Sequence, residues 1–326
     1  MTPNSLQEQL TKYLTDAHSI EEQALVQMRS APKIAGDPEI SAAFERHLAE
    51  TETHESIVRQ RLVARDASPA KLKDLAGKVT GKGFALFAQF QPDTPGKLVT
   101  HAYSYEHMEL AAYELLNMVA ERAGDTETAA AARRIRAQEN AMSERLVTLF
   151  DRAVEAALRD QSPDDLGEQL NKYLSDAHAL ESQAIQLLEK SPQLAGTPAL
   201  EAAYEEHLVQ TREQQRLIQE RLDARGASTN KLKDAALRLG ALNWGLFFGA
   251  QPDTPAKLAG FAYAFEHLEI AAYELLRRVA QRAGDSDTEA VAQQILQQER
   301  LAAEQLFSLF GEALDASLSE QGVGAR

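Results

Sequence analysis

Apolar residues recur every three or four positions over four long stretches, and the same four stretches return 160 residues later. That spacing predicts amphipathic α-helices, each with one face turned to a core. The first stripe is Leu10, Leu14, Ala17, Glu21, Ala24 and Met28, in a helix expected to open at Thr2-Pro3. The second runs from Asp37-Pro38 to about Arg65 through Ile40, Phe44, His47, Thr51, His54 and Val58. The third opens at Thr94-Pro95 and reaches Gly124 through Leu98, Ala102, Tyr105, Glu109, Ala112, Leu116 and Val119, with Glu106 adjoining. The fourth starts near Asp125 and turns Ile135, Glu139, Met142, Leu146 and Leu149 inward.

The repetition is exact in register. Leu10, Tyr13, Asp16, His18 and Glu21 return as Leu170, Tyr173, Asp176, His178 and Glu181, and Glu139 returns as Glu299. Between Lys97 and Asp125 about two-thirds of positions equal their partners, which marks a duplicated domain rather than a short solenoid repeat. Two domains are therefore expected, 1–160 and 161–326, joined near 161–165, with the second copy starting at Ser162-Pro163 and the tail after about Leu318 frayed. The connection between the second and third helices is long and carries Phe84, Phe87 and Phe90 in copy one and Trp244, Phe247 and Phe248 in copy two. Such a segment predicts a short extra helix that covers an apolar surface. The expected fold class is all-α: two tandem four-helix bundles, each with a crossover in the ferritin-like manner.

Composition narrows the partners. A formal net charge of −15 argues against binding phosphate backbones, and no basic amphipathic face suits a membrane surface. The chain has no cysteine, which removes disulfides, thiolate nucleophiles and cysteine-bound metal clusters. No apolar run reaches the roughly 18 to 20 residues of a membrane span, and the first residues lack the pattern of an export signal, so a cytoplasmic location is expected.

The inward stripes carry charge. Copy one turns Glu21, Glu106, Glu109 and Glu139, with His47 and His54, toward one interior. An apolar core does not hold several ionised carboxylates unpaired, because burying each is unfavourable by several kcal/mol. A pair of divalent ions, iron or manganese, offsets that penalty, as in bundles that offer one Glu from each of two helices and a Glu-x-x-His from each of the others. That set is incomplete here: Thr51 stands three before His54, and Met142 three after Glu139. Copy two has Thr211, Gln214 and Ala302 at the matching places, so the first bundle is favoured over the second as a metal site. The competing reading is a buried polar network in which His47 or His54 pairs with Glu109 or Glu139, Tyr105 and Tyr113 donate hydroxyls, some glutamates stay protonated, and His207 takes the part of His47 in copy two. His47 fits the network better than a ligand role, since it lies two turns from His54. His18, His178, His107 and His267 are expected at the bundle margin.

Tyr13-Leu14-x-Asp16-Ala17, Phe44-Glu45-x-His47-Leu48, Thr51, Glu139 and above all Glu106-His107-x-Glu109-x-Ala111-Ala112-Tyr113 resemble the YciE/YciF family of ferritin-like bacterial stress proteins, over almost the whole of both halves. The resemblance implies a rubrerythrin-like bundle, a crossover helix that contributes to a dimer interface, and a link to stress responses. It implies Glu21, His54, Glu106, Glu109 and Glu139 as metal ligands in copy one, and Glu181, Glu266, Glu269 and Glu299 in copy two.

Three functions follow as expectations. The first is a dimetal protein that handles oxygen, peroxide or iron, with its reductant supplied from outside a chain that has no cysteine. The second is a metal-free helical stress protein acting as a protein-interaction module. The third is a binder of apolar ligands along the crossover aromatics. Those aromatics also suggest an internal pseudo-dimer of the two bundles or a homo-oligomer.

Overall fold

A computed structural model of the chain describes residues 5–67, 95–159, 162, 165–227 and 253–323. All regular structure among these residues is helical. The first copy supplies α1 (Leu6–Ile34), α2 (Pro38–Val63), α3 (Pro95–Arg122) and α4 (Thr126–Leu158). The second supplies α5 (Leu166–Leu188), a 3-10 turn at Pro192–Leu194, α6 (Pro198–Ala224), α7 (Thr254–Arg282), α8 (Ser286–Ser308) and α9 (Phe310–Glu320). In space the chain divides into two compact units, Met1–Leu149 with Ser317–Arg326, and Phe150–Ala316. No helix among the described residues is long and apolar enough to cross a membrane.

Helix starts follow local chemistry. Asp37 caps α2 by accepting hydrogen bonds from the amides of Glu39 and Ile40, and Thr197 caps α6 from the amide of Leu200. The first helix begins at Leu6: Ser5 and Glu8 form a reciprocal capping box, which sets the start later than the Thr2-Pro3 signal suggested. Likewise α5 begins at Leu166, past Ser162, whose amide and hydroxyl both donate to the Asp165 carboxylate. The tail is ordered through Val323 rather than frayed from Leu318. Gly322 takes a left-handed φ of 70°, and the Val323 amide closes the helix end on the Leu318 carbonyl at 2.9 Å. The fourth helix of copy two breaks at Leu309, beside Gly311, where copy one has Asp151 and continues unbroken. Glycine is less favourable in a helix interior than most residues by several tenths of a kcal/mol.

Contacts at one end of the first bundle fix the helix directions. Gln7 donates to the Ala123 carbonyl at 2.9 Å, Arg65 donates to the Gln7 carbonyl at 2.9 Å, and Arg61 and Arg65 each reach Asp125 at 3.0 Å. Thus α1 and α4 start where α2 and α3 finish, the arrangement a long second-to-third connection requires. The second bundle repeats it, with Arg225 on the Gly167 carbonyl at 2.9 Å and Arg221 on Asp285 at 2.9 Å. At the opposite end, Gly36 and Gly196 adopt left-handed φ of 67° and 71°. A Cβ at either would lie 2.7 Å from the ring of Pro95 or Pro255, so the α1–α2 and α5–α6 loops press against the starts of α3 and α7.

The third helix of each copy is buried nearly all round. Ala112 is only half-buried, while Val99, Tyr103, His107 and Ala111 join the expected inner positions in the interior. His107 and His267 are therefore buried rather than marginal. Each Nδ1–H donates to the carbonyl four residues back, at 2.7 Å and 2.8 Å, and each ring lies 4.4 Å from that residue's tyrosine ring. The crossover aromatics Phe84, Phe87, Phe90, Trp244, Phe247 and Phe248, and with them the expected extra helix and pseudo-dimer contact, lie outside the described residues.

Candidate metal centre

Four helices each turn one or two polar side chains into the middle of the first bundle. Glu21 comes from α1, His47 and His54 from α2, Glu106 and Glu109 from α3, and Glu139 from α4, and every one is at most 1% exposed. Their spacing follows from the helix: Glu106 and Glu109 are three apart on one face, and His47 and His54 are two turns apart on one stripe.

Glu139 joins the two histidines. Its Oε2 lies 3.2 Å from His47 Nε2 and its Oε1 lies 2.7 Å from His54 Nδ1. His47 Nε2 also lies 3.2 Å from Glu106, and His54 Nδ1 lies 3.9 Å from Glu21. Two ligand-capable groups result, His47 with Glu106, Glu109 and Glu139, and Glu21 with His54 and Glu139, the donor atoms of each within 4.8 Å of one another. Each histidine is oriented from its far side. Glu50 lies 3.1 Å from His47 Nδ1, and Gln138 accepts from His54 Nε2 at 3.1 Å. Such outer contacts fix which ring nitrogen is left to face a cation. Tyr113 donates a short hydrogen bond to Glu21, and Tyr105 donates to the Ile20 carbonyl at 2.8 Å.

Electrostatics separates the carboxyls. Burial, reinforced by the charge of Glu139, pushes Glu21 up to about 8. Burial and the other glutamates push Glu109 well above the carboxylate range, and burial takes Glu106 to about 7 against the pull of His47. Burial would raise Glu139 as well, but the His47 and His54 imidazoles outweigh it and hold it at about 2. The same contacts lift both histidines against the effect of their burial.

The second bundle keeps one of the two groups. His207, Glu266, Glu269 and Glu299 are buried together, with His207 Nε2 2.8 Å from Glu266 and 3.4 Å from Glu299. His207 Nδ1 faces Gln210 at 3.3 Å, where copy one has Glu50. The place of His54 is taken by Gln214, whose amide donates to Glu299 and, at 3.2 Å, to Gln298. Glu181 accepts a short hydrogen bond from Tyr273 and, among the described residues, belongs to no ligand group. With one imidazole instead of two beside it, Glu299 is raised well above the usual range by burial and by Glu269 and Glu266, while Glu181 is pushed up by burial to about 8.

Every carboxylate singled out in the sequence except Glu181 thus falls within a ligand-capable group. His47 and His207 enter the groups although the sequence reading placed them in the polar network. A seven-residue separation is about 10 Å of helix rise, which argued against a shared centre. The rings nevertheless stand 6.4 Å apart, and one carboxylate spans them. A signal was present: His47 returns as His207 in the second copy, whereas His54 does not return.

The donors suit a divalent cation. Among the described residues, both carboxylate oxygens of Glu109 and both of Glu269 are buried with no hydrogen-bond partner, as is one oxygen each of Glu21 and Glu181. Carboxylate and imidazole ligands without sulfur fit iron, manganese or zinc rather than soft metals.

Two stretches, residues 5–159 and 165–319, match the family model described as "Domain of unknown function (DUF892)". No solved structure matches the chain significantly. The chain belongs to this family, the YciE/YciF ferritin-like proteins, and carries its domain twice.

Proposed function

We propose that this chain is a tandem ferritin-like metalloprotein that handles oxygen, peroxide or iron under stress. Its first bundle holds a pair of divalent ions, iron or manganese, one at His47, Glu106, Glu109 and Glu139 and one at Glu21, His54 and Glu139. Its second bundle holds a single ion at His207, Glu266, Glu269 and Glu299. The observation that carries this reading is the pair of buried carboxyls, Glu109 and Glu269, with all four oxygens lacking a donor among the described residues. A buried polar group without a partner is unfavourable by about 1–3 kcal/mol, and more when charged. A polar network alone leaves that penalty in place in both copies, while a cation removes it.

Bound iron or manganese supplies a Lewis acid and, for iron, an electron-exchange centre for oxygen or peroxide. The chain's own residues do the rest. Glu50 and Gln138 hold the imidazoles in the orientation that leaves His47 Nε2 and His54 Nδ1 toward Glu139. Tyr113 fixes one oxygen of Glu21 and leaves the other free. The apolar surroundings exclude bulk water and strengthen each of these contacts.

Gln214 supports the single-ion assignment in the second bundle. Its amide occupies the Glu299 oxygen that corresponds to the one Glu139 presents to His54. The test is to strip the full chain with chelator, reconstitute it anaerobically with ferrous or manganous ion, and count bound metal by mass spectrometry. About three ions per chain are expected from the three groups. No uptake overturns the reading and leaves a metal-free helical protein.

A further inference from the structure

All five methionines of the chain, Met1, Met28, Met108, Met118 and Met142, belong to the first copy. Met142 is 3% exposed and stands one turn after Glu139 on α4. A side chain on a helix leans back toward the N-terminal end, so Met142 leans over the turn that carries Glu139.

Two further observations set its level in the bundle. Arg61 on α2 donates to the Thr128 hydroxyl on α4 at 3.0 Å, and in this antiparallel pair His47 and Met142 each lie about 21 Å of helix rise from that contact. In the second copy the matching side chains, His207 and Ala302, line one cavity with room for about one water, so these two positions are neighbours. Met142 is thus level with the group formed by His47, Glu106, Glu109 and Glu139. Glu50, which is 43% exposed, lies 3.1 Å from His47, so solvent is one side chain away from this group. Met28 and Met108 are also buried but otherwise placed. Met108 falls between Glu106 and Glu109 in sequence and hence on another face of α3, and Met28 lies about two turns beyond Glu21 on α1.

We propose that Met142 is a modification site, oxidised to the sulfoxide by peroxide held at the ion of His47, Glu106, Glu109 and Glu139. The inference rests on the metal reading of the first bundle. The peroxide O–O bond breaks, one oxygen bonds to the Met142 sulfur, which gives up two electrons, and the other oxygen leaves as water with both peroxide hydrogens. The thioether is itself the reductant, which suits a chain without cysteine. The ion acts as a Lewis acid on the departing oxygen. Methionine sulfoxide is polar and is reversed by dedicated reductases, so peroxide leaves a removable mark in the core of the first bundle, and Ala302 offers no sulfur for it in the second.

The test uses the full chain loaded in parallel with ferrous and with manganous ion, treated with a few equivalents of isotope-labelled hydrogen peroxide and read by peptide mass spectrometry, with bound metal counted in every sample. Label at Met142 is expected to exceed label at the half-buried Met118 by about tenfold in the loaded chain, and the order should reverse in the metal-free chain, where exposure decides. Glu109→Gln should lower the metal count and remove the preference for Met142. After chelation, the treated wild-type chain should melt below the untreated one, because the sulfoxide puts a polar oxygen into the core, and Met142→Leu should show no such drop. Label at Met142 no faster than at Met118 with either ion bound would overturn the oxidation proposal alone. A metal count that does not fall in Glu109→Gln would show that the first bundle holds no ion there, which overturns the metal reading and this proposal with it.

Discussion

Glu139 Oε1 lies 2.7 Å from His54 Nδ1 while its Oε2 lies 3.2 Å from His47 Nε2, so one carboxylate serves two histidines two turns apart. In the second bundle the first of these contacts is replaced by the Gln214 amide on Glu299. The residue at this place is expected to set how many ions a bundle takes. His54→Gln should lower the metal content of the chain by one ion, and Gln214→His should raise it by one. Equilibrium dialysis against manganous ion, with metal counted by mass spectrometry, reads both; unchanged counts in the two variants would refute the assignment.

The metal-free chain should lose stability as pH rises. Glu21 and Glu181 are pushed up to about 8, and Glu109 and Glu269 are also held well above the carboxylate range, chiefly by burial. Because the folded pKa exceeds the unfolded value, their contribution is fully present below the ordinary carboxylate range and is lost as pH rises through the folded pKa. The raised His47 and His207 act in the same direction. The Tm of chelated protein is expected to fall as pH rises from the ordinary carboxylate value of 4.5 to about 8, and metal should reverse the trend, since binding takes the place of these protons. Thermal denaturation with and without metal checks this, and calorimetry in buffers of differing ionisation enthalpy should record proton release on metal binding.

Removing one hydroxyl should be felt in the core. Tyr113→Phe leaves a Glu21 oxygen without its donor, and Tyr273→Phe does the same to Glu181. Each should destabilise the chelated chain by about 1–3 kcal/mol in urea unfolding. The loss should be smaller with metal present for Tyr113→Phe, because Glu21 then has a cation beside it, than for Tyr273→Phe, because Glu181 stands outside the ligand group.

Asp125 ties three helices together. It accepts from the Thr128 amide and hydroxyl at the start of α4 and pairs with Arg61 and Arg65 from the end of α2, the latter bonded in turn to the Gln7 carbonyl. Burial alone would raise its pKa, but the Thr128 and Arg61 contacts outweigh that and lower it. Its contribution is therefore present above the unfolded carboxylate pKa and is lost as pH falls through the depressed one. Asp125→Ala should destabilise the protein by about 1–3 kcal/mol at neutral pH, most of it from the lost cap. The gap between variant and wild type should narrow as pH falls through that depressed pKa.

Much of this was legible in the sequence because helices write their inner faces at a fixed period. The stripe through Leu10, Leu14, Ala17 and Glu21 put Glu21 in the core before any contact was known, and the 160-residue register carried the same placement to Glu181. Asp37-Pro38 and Gly124 marked helix ends for reasons local to the backbone. What the sequence did not yield depended on partners from other helices. His47 looked too far from His54 along α2, and only the position of Glu139 on α4 brings them to one carboxylate. The sequence pattern of α3 marks a single inner face and leaves His107 off it, whereas its burial nearly all round is a property of packing. The start of α1 was misplaced for a more local reason: Thr2-Pro3 and the Ser5–Glu8 capping box are both valid signals, and the reciprocal pair prevails.

Whether the buried glutamates and histidines hold metal ions can be read by anomalous X-ray diffraction at the iron edge on crystals soaked anaerobically with ferrous ion. Two peaks are expected in the first bundle, on either side of Glu139, and one in the second beside His207. Peaks confined to surface carboxylates, with Glu109 and Glu269 hydrogen-bonded to neighbouring side chains or water, would contradict it.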